Sequence, residues 1–127
     1  MIKSHTTICC TDVRQLALLD EYQWVVCETK PELMLTNNMC VVIENGFDSD
    51  NFENALTGVA IEMGKQCPGL AFQIDAKLHD DATIETIAIE YHRENIAVHV
   101  ETEDCDAGQE SVKQTCTYII PQIELTK

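Results

Sequence analysis

Lysine and arginine are scarce in this chain. Together they number 8 of 127 residues, against 22 aspartates and glutamates, for a formal net charge of -14 at pH 7. So acidic a protein repels nucleic acid and anionic membrane and attracts basic surfaces. Direct nucleic-acid binding is therefore not expected, because phosphate neutralisation needs clustered Lys and Arg. Glycine is also sparse, with 5 residues, none in a P-loop or dinucleotide pattern. No C-x-x-C occurs, the spacing that zinc ribbons and thioredoxin-like sites use. No apolar stretch approaches the length of a membrane span. Met1-Ile2-Lys3-Ser4-His5 lacks the apolar run of a signal peptide after its lysine. These absences lead us to expect a cytoplasmic protein with no membrane association.

Enough remains for a folded core. Apolar residues make up 45% of the chain and charged residues 24%, as in an ordinary globule. A chain of this length forms one domain, here 1–127, without help from disulfides or metal. Its seven cysteines are Cys9, Cys10, Cys27, Cys40, Cys67, Cys105 and Cys116. Their number is odd and their spacing irregular, and several sit in apolar runs. They read as reduced thiols acting as small hydrophobes. A metal or redox site built from His5, Cys9 and Cys10 is disfavoured, since adjacent cysteines do not ligate one ion without strain. No metal and no cofactor are expected.

Strand character begins with Ile2 to Cys10, which carries Thr6, Thr7 and Ile8. Thr11 offers an N-cap for a helix over about Asp12 to Tyr22, with Asp12 at the positive end of the dipole. Trp24 to Cys27 reads as a short strand, and Pro31 to Leu35 as a helical turn with Pro at its first position. Met39 to Ile43 is apolar throughout and is expected to be buried on both faces, ending at Asn45-Gly46. A second helix is expected over Asp50 to Gln66. Asp50 and Glu53 have capping-box spacing, and Phe52, Ala55, Leu56, Val59, Ala60 and Met63 form an apolar stripe. Gly58 and Gly64 on it would admit a close backbone approach, and Cys67-Pro68-Gly69 stops it.

From Leu70 the period changes to two. Phe72, Ile74, Ala76 and Leu78 alternate with polar residues, then Ile87, Ile89 and Tyr91, then Ile96, Val98 and Val100. Three such runs make an antiparallel meander with one wet face. Sharing a face requires paired residue numbers with odd sums. A loop at Asp80 to Thr83 pairs Phe72 with Tyr91 and Gln73 with Glu90. A two-residue turn at Glu94-Asn95 pairs Tyr91 with Val98 and Glu90 with His99. After an acidic loop from Asp104 to Glu110, Val112 to Ile120 reads as a last strand, which Pro121 either confines to an edge or ends. The expected fold class is thus α+β, with an antiparallel sheet (the meander over 70–103 plus further strands) packed against two helices.

Two surfaces are candidates for function. The register places Gln73, Glu90 and His99 in one row, with His92 nearby, and Glu–His pairs serve general acid–base chemistry. The plainer account is a solvated pair on an open sheet, worth about 0.2–1 kcal/mol. Ala88 and Ala97 beside it suggest a shallow contact patch, not a deep pocket. The other candidate is the acidic surface of Glu90, Glu94, Glu101, Glu103, Asp104 and Asp106. Acids two apart on a strand stand about 6.5–7 Å apart, comparable to successive phosphates of a nucleic-acid strand. Asp48, Asp50 and Glu53 lack the spacing of a calcium loop and are read as helix capping.

In size and composition, though in no motif, the chain resembles phage anti-defence proteins such as inhibitors of CRISPR or restriction enzymes. Bacterial immunity proteins that neutralise nuclease toxins share the profile. The resemblance implies a non-enzymatic inhibitor or regulator whose partner is a basic protein, a nucleic-acid-binding enzyme or complex, met through mimicry of nucleic-acid charge. The alternatives are an immunity or antitoxin-type role, or a small enzyme or metal-binding domain using the Glu90/His99 face. Oligomeric state is left open, a homodimer included.

Overall fold

Burial alternates residue by residue along Phe72 to His79, and that alternation fixes the architecture. The computed structural model describes residues 2–22, 24, 31–48, 50–92, 95–104 and 112–121. Within these the chain runs β1 (Lys3–Cys9), α1 (Val13–Glu21), β2 (Leu33–Leu35), β3 (Cys40–Glu44), α2 (Phe52–Gln66), β4 (Phe72–Asp80), β5 (Thr83–His92), β6 (Asn95–Asp104) and β7 (Val112–Pro121). The strands form one sheet in the order β2-β3-β1-β4-β5-β6-β7, and every neighbouring pair is antiparallel. The fold is α+β, as the sequence pattern implies. No helix among the described residues is long and apolar enough to cross a membrane.

One face of the sheet carries Ile8, Ile43, Ile74, Ile87, Ile89, Ile96 and Val98, each fully or almost fully buried. The stripe of α2, from Phe52 through Leu56 and Val59 to Met63, joins the same core, as does Leu19 of α1. Both helices therefore cover one face, and the other is left to solvent. Full burial of an aliphatic or Phe side chain is worth about 1.5–3 kcal/mol, so this seam dominates the stabilisation.

The first hairpin has the expected register, with Phe72 opposite Tyr91 and Gln73 opposite Glu90. Its connection is tighter than expected, because Asp80 and Thr83 still pair and only Asp81-Ala82 turn. Asp81 takes φ 32 there. The second hairpin keeps the expected parity but shifts by one turn position. His92 pairs with Asn95, so Tyr91 faces Ile96, Glu90 faces Ala97 and Ala88 faces His99. Parity is enforced by burial of one face; the choice between registers of equal parity is not.

The N-terminal half departs from expectation in several places. The cap of α1 is Asp12 and not Thr11: Arg14 N–H donates to Asp12 Oδ1 at 2.9 Å, and Gln15 completes the capping box. Asp50 and Glu53 do not cap α2, whose N-cap is Asn51 without a side-chain bond. Asp48 Oδ1 instead accepts from the N–H groups of Asp50 and Asn51 at 3.0 and 3.1 Å. The segment Leu33–Leu35 is a strand, not a helical turn. It pairs with Val41 to Ile43, and that ladder gives its backbone a regular partner which one helical turn lacks. Trp24 is buried but lies in no strand, and 25–30 fall outside the described residues. Cys40–Glu44 is buried on one face only, at Val41 and Ile43, because no layer among the described residues covers the other side. Gly58 admits a side chain and not a backbone: a Cβ there would stand 3.0 Å from the Tyr22 hydroxyl.

Two buried polar residues stand out. Gln15 is fully buried. Its Oε1 accepts from the N–H groups of Thr11 and Asp12 at 2.8 and 3.1 Å, and its Nε2 donates to Leu70 O and Ala71 O at 3.1 and 3.2 Å. It ties the start of α1 to the approach of β4, and four of its bonds end on main chain. Thr6, on the core face between Ile43 and Ala76, is also fully buried, yet its hydroxyl has no hydrogen-bond partner among the described residues. Opposite outcomes follow. Gln15→Ala should lower the unfolding free energy by about 2–4 kcal/mol by stranding main-chain groups. Thr6→Val should raise it by about 1 kcal/mol, since it removes an unsatisfied hydroxyl while keeping the branched shape. Urea unfolding of the two variants checks both signs.

Candidate interaction surface

The uncovered face of the sheet is built in cross-strand rows. One runs Cys40, Cys9, Gln73, Glu90, Ala97, Ile119 from β3 to β7. The next runs Val42, Thr7, Asp75, Ala88, His99, Thr117, and a third Glu44, His5, Lys77, Thr86, Glu101, Thr115. A fourth holds Lys3, His79, Ile84, Glu103 and Lys113. The expected row of Gln73, Glu90 and His99 is therefore not formed. Gln73 and Glu90 are neighbours, but His99 sits in the adjacent row, a consequence of the shifted second hairpin. Gln73 Nε2 donates to Asp75 Oδ2 at 3.0 Å, and His99 Nδ1 lies 2.7 Å from Thr117 Oγ1. His92 is placed only by its backbone at the end of β5, and its side chain lies outside the description. Ala88 and Ala97 do floor a shallow hollow of about 140 Å³ with Glu90 and His99 on its rim.

A Glu–His pair exists elsewhere on this face. Glu44 Oε1 contacts His5 Nδ1, and Thr7 Oγ1 lies 3.4 Å from His5 Nε2. The order carboxylate, imidazole, hydroxyl is that of a nucleophile relay. Here the His5 and Glu44 side chains are 57% and 50% exposed, and neither a closed pocket nor a converging set of main-chain donors accompanies them. The arrangement is that of a solvated cross-strand pair. Among the described residues no group of three or more His, Cys, Asp or Glu is placed to hold a metal ion.

The charge is divided unevenly between the faces. On the open face Glu44, Asp75, Glu90, Glu101 and Glu103 are interspersed with Lys3, Lys77 and Lys113. Lys113 Nζ approaches Glu101 Oε1 at 3.7 Å. Of the other described residues only Arg14 and Lys65 are basic, against twelve acids. Arg14 is engaged by Asp12 through Nε and Nη2 at 2.9 and 3.1 Å, and those bonds draw the Asp12 carboxyl down to about 2.

Several of these acids gather at one end of the sheet, where β4 turns into β5 and β6 ends. Asp80, Thr83 and Asp104 form its last row, Asp81 lies in the turn, and Glu103 and Glu85 stand one or two positions inward. Glu53 joins them from the first turn of α2. The Tyr118 hydroxyl donates to Glu53 Oε2 at 3.0 Å. Burial first, and then this bond and the Glu53 charge, push the Tyr118 phenol up to about 12. Glu85 is half-buried on the helix-covered face. Burial and, second, the Glu53 charge raise its pKa.

Of the acids expected to form the surface, Glu103 and Asp104 belong to this rim, on opposite faces because strand neighbours alternate. Glu101 lies one row inward and is half-buried. Glu90 stands five residues from Glu85, about 16 Å along β5 at 3.3 Å per residue, and does not join them. Glu94 and Asp106 lie outside the described residues. Asp80, Asp81 and Glu85 were not among the acids expected to form the surface, and Glu53 was read only as a helix-capping residue. The correct register of both hairpins was the signal that would have brought Asp80 and Asp104 together.

The cysteines are less buried than expected. Cys10 and Cys67 are in the core, Cys9 and Cys40 are half-exposed and Cys116 is exposed. The Cys9 thiol is pushed up to about 11, first by its contact with Cys40 and then by burial. Burial pushes Cys10 up to about 12. Cys27 and Cys105 lie outside the described residues. The chain matches no family model, no curated protein and no solved structure.

Glu85 gives this end of the sheet a pH signature. Its carboxyl titrates higher folded than unfolded, so its ionisation opposes folding. That penalty is absent below the unfolded value of 4.5 and grows as pH rises through the raised folded value. Glu85→Gln should therefore raise the melting midpoint at pH 7 and leave it unchanged at pH 3.5. A variant that melts lower than the parent at pH 7 would contradict this assignment.

Proposed function

We propose that this protein is a small, non-enzymatic binding protein that inhibits or regulates a basic, nucleic-acid-handling partner. Its mode is that of a phage anti-defence inhibitor of the anti-CRISPR or anti-restriction type, which presents carboxylates where the partner expects phosphates. The observation that carries the reading is the acidic rim at the β4–β5 end: Asp80, Asp81, Glu85, Glu103 and Asp104, with Glu53 behind them. Among the described residues Lys113 stands opposite Glu103 in the register, and Lys3 lies in the same row three strands away. Asp80 and Asp104 are two strands apart, about 9–10 Å. The rim therefore spreads charge over a width suited to a phosphate-binding groove.

The size of the charge supports the same conclusion. A net charge magnitude of about 2–8 suffices to keep a small domain soluble, and this chain carries -14. Rim charges act mainly on encounter, so association should be fast at low salt and slow steeply as salt rises.

Capture of partners from a host lysate, with elution by a salt series, tests the reading. The expected partner is a basic nucleic-acid-binding protein released by moderate salt. Replacing Asp80, Glu103 and Asp104 together by Lys should weaken its binding about tenfold or more and leave the melting midpoint within a few degrees of the parent. Binding that ignores both salt and these substitutions would leave the rim a solubilising feature and refute the proposal.

A further inference from the structure

Cys9 and Cys40 face each other directly across β1 and β3. Main-chain bonds define what kind of position this is. Cys10 N–H donates to Met39 O at 3.1 Å and Asn45 N–H to Ser4 O at 2.7 Å. Hydrogen-bonded pairs alternate with non-bonded ones along the ladder, so Cys9 and Cys40 form a non-hydrogen-bonded pair. Cα atoms at such a pair stand about 4.5 Å apart, with side chains closer than at bonded positions. That lies inside the range of about 4.4–6.8 Å that disulfides span, near its short end.

The two sulfurs are 2.8 Å apart, nearer than unbonded sulfurs ordinarily approach, against a bonded distance of about 2.05 Å. Access is open as well. Both residues lie on the uncovered face and are half-exposed, and a hollow of about 210 Å³ lined by Cys9, Gln73 and Glu90 opens beside them. Cys10 points the other way, into the core, and is 8% exposed.

We propose that Cys9 and Cys40 are a redox-active dithiol site that takes a low-molecular-weight disulfide as its oxidant. Cys40 attacks first, as its thiolate, on a sulfur of the small disulfide, because contact with Cys40 and burial hold the Cys9 thiol protonated. The small S–S bond breaks, a mixed disulfide forms and one small thiol leaves. The second cysteine then attacks the protein sulfur of that mixed disulfide and expels the second small thiol. The protein loses two protons and two electrons, and the oxidant gains them as two thiols. The product is a cross-strand disulfide that closes the chain from β1 through α1 and β2 to β3. Both sulfurs lie on the open face, where a small thiol can attack the bond, so the site cycles between its two states as the thiol–disulfide ratio changes.

Incubating the full chain in glutathione buffers of increasing disulfide fraction, then alkylating and weighing it, tests the proposal. The expected result is a loss of two hydrogens and a linked peptide joining Cys9 to Cys40, reversed by reduced glutathione. The link should persist in Cys10→Ser and Cys116→Ser and disappear in Cys9→Ser and Cys40→Ser. The oxidised parent should melt about 5–15 °C higher than the reduced form. Peptide mapping of the unmutated chain decides the matter even if a serine variant folds poorly. No link at the most oxidising ratio, a mixed disulfide that never closes, or a link to another cysteine overturns the assignment.

Discussion

Everything in this structure depends on burying one face of a seven-stranded antiparallel sheet with two helices. An α-helix offers one apolar stripe, and α2 supplies 15 residues against the 9 of α1. Together they cover one side of the strands and leave the other wet. The two-residue alternation of β4, β5 and β6 is the answer of the sequence to that geometry. It also explains why β3, apolar at every position from Cys40 to Ile43, is buried at only two of them. Its second face meets no layer among the described residues.

The same constraint sorts the polar groups. On the open face charges of both signs lie next to each other, and Thr, His and Gln fill the rows between them. The acid excess is displaced to the helix side and to the sheet end where β4 turns into β5. There the Tyr118 hydroxyl donates to Glu53, and burial, with the Glu53 charge second, raises the Glu85 pKa. Ionisation of Glu85 therefore opposes folding. At the other end of β1 the opposed thiols of Cys9 and Cys40 arise from register alone. They are 31 residues apart in sequence and have no common motif.

Buried polar groups were the least visible part of the chain. Gln15 looks like one more polar residue on a short amphipathic helix, yet its amide holds four main-chain groups in place. Nothing local distinguishes it from Gln66, which lies exposed at the end of α2. Likewise Leu33 to Leu35, three apolar residues after Pro31-Glu32, suits a helical turn as well as a strand. The neighbouring ladder of β3 decided between them.

Sequence by itself determined the α+β class, the span of α2, the three alternating strands, the first hairpin register and the existence of β7. Each follows from local periodicity or from proline and glycine chemistry, which act over a few residues. Tertiary structure alone decided the second hairpin register, because registers two residues apart bury the same face and local patterning is blind to the difference. That small shift separated Glu90 from His99. It also set Asp104 in the row of Asp80, and with it the outline of the acidic rim. The pairing of β1 with β3, and so of Cys9 with Cys40, depended on which long-range strand contacts bury the most apolar surface. Spacing along the chain does not encode that quantity.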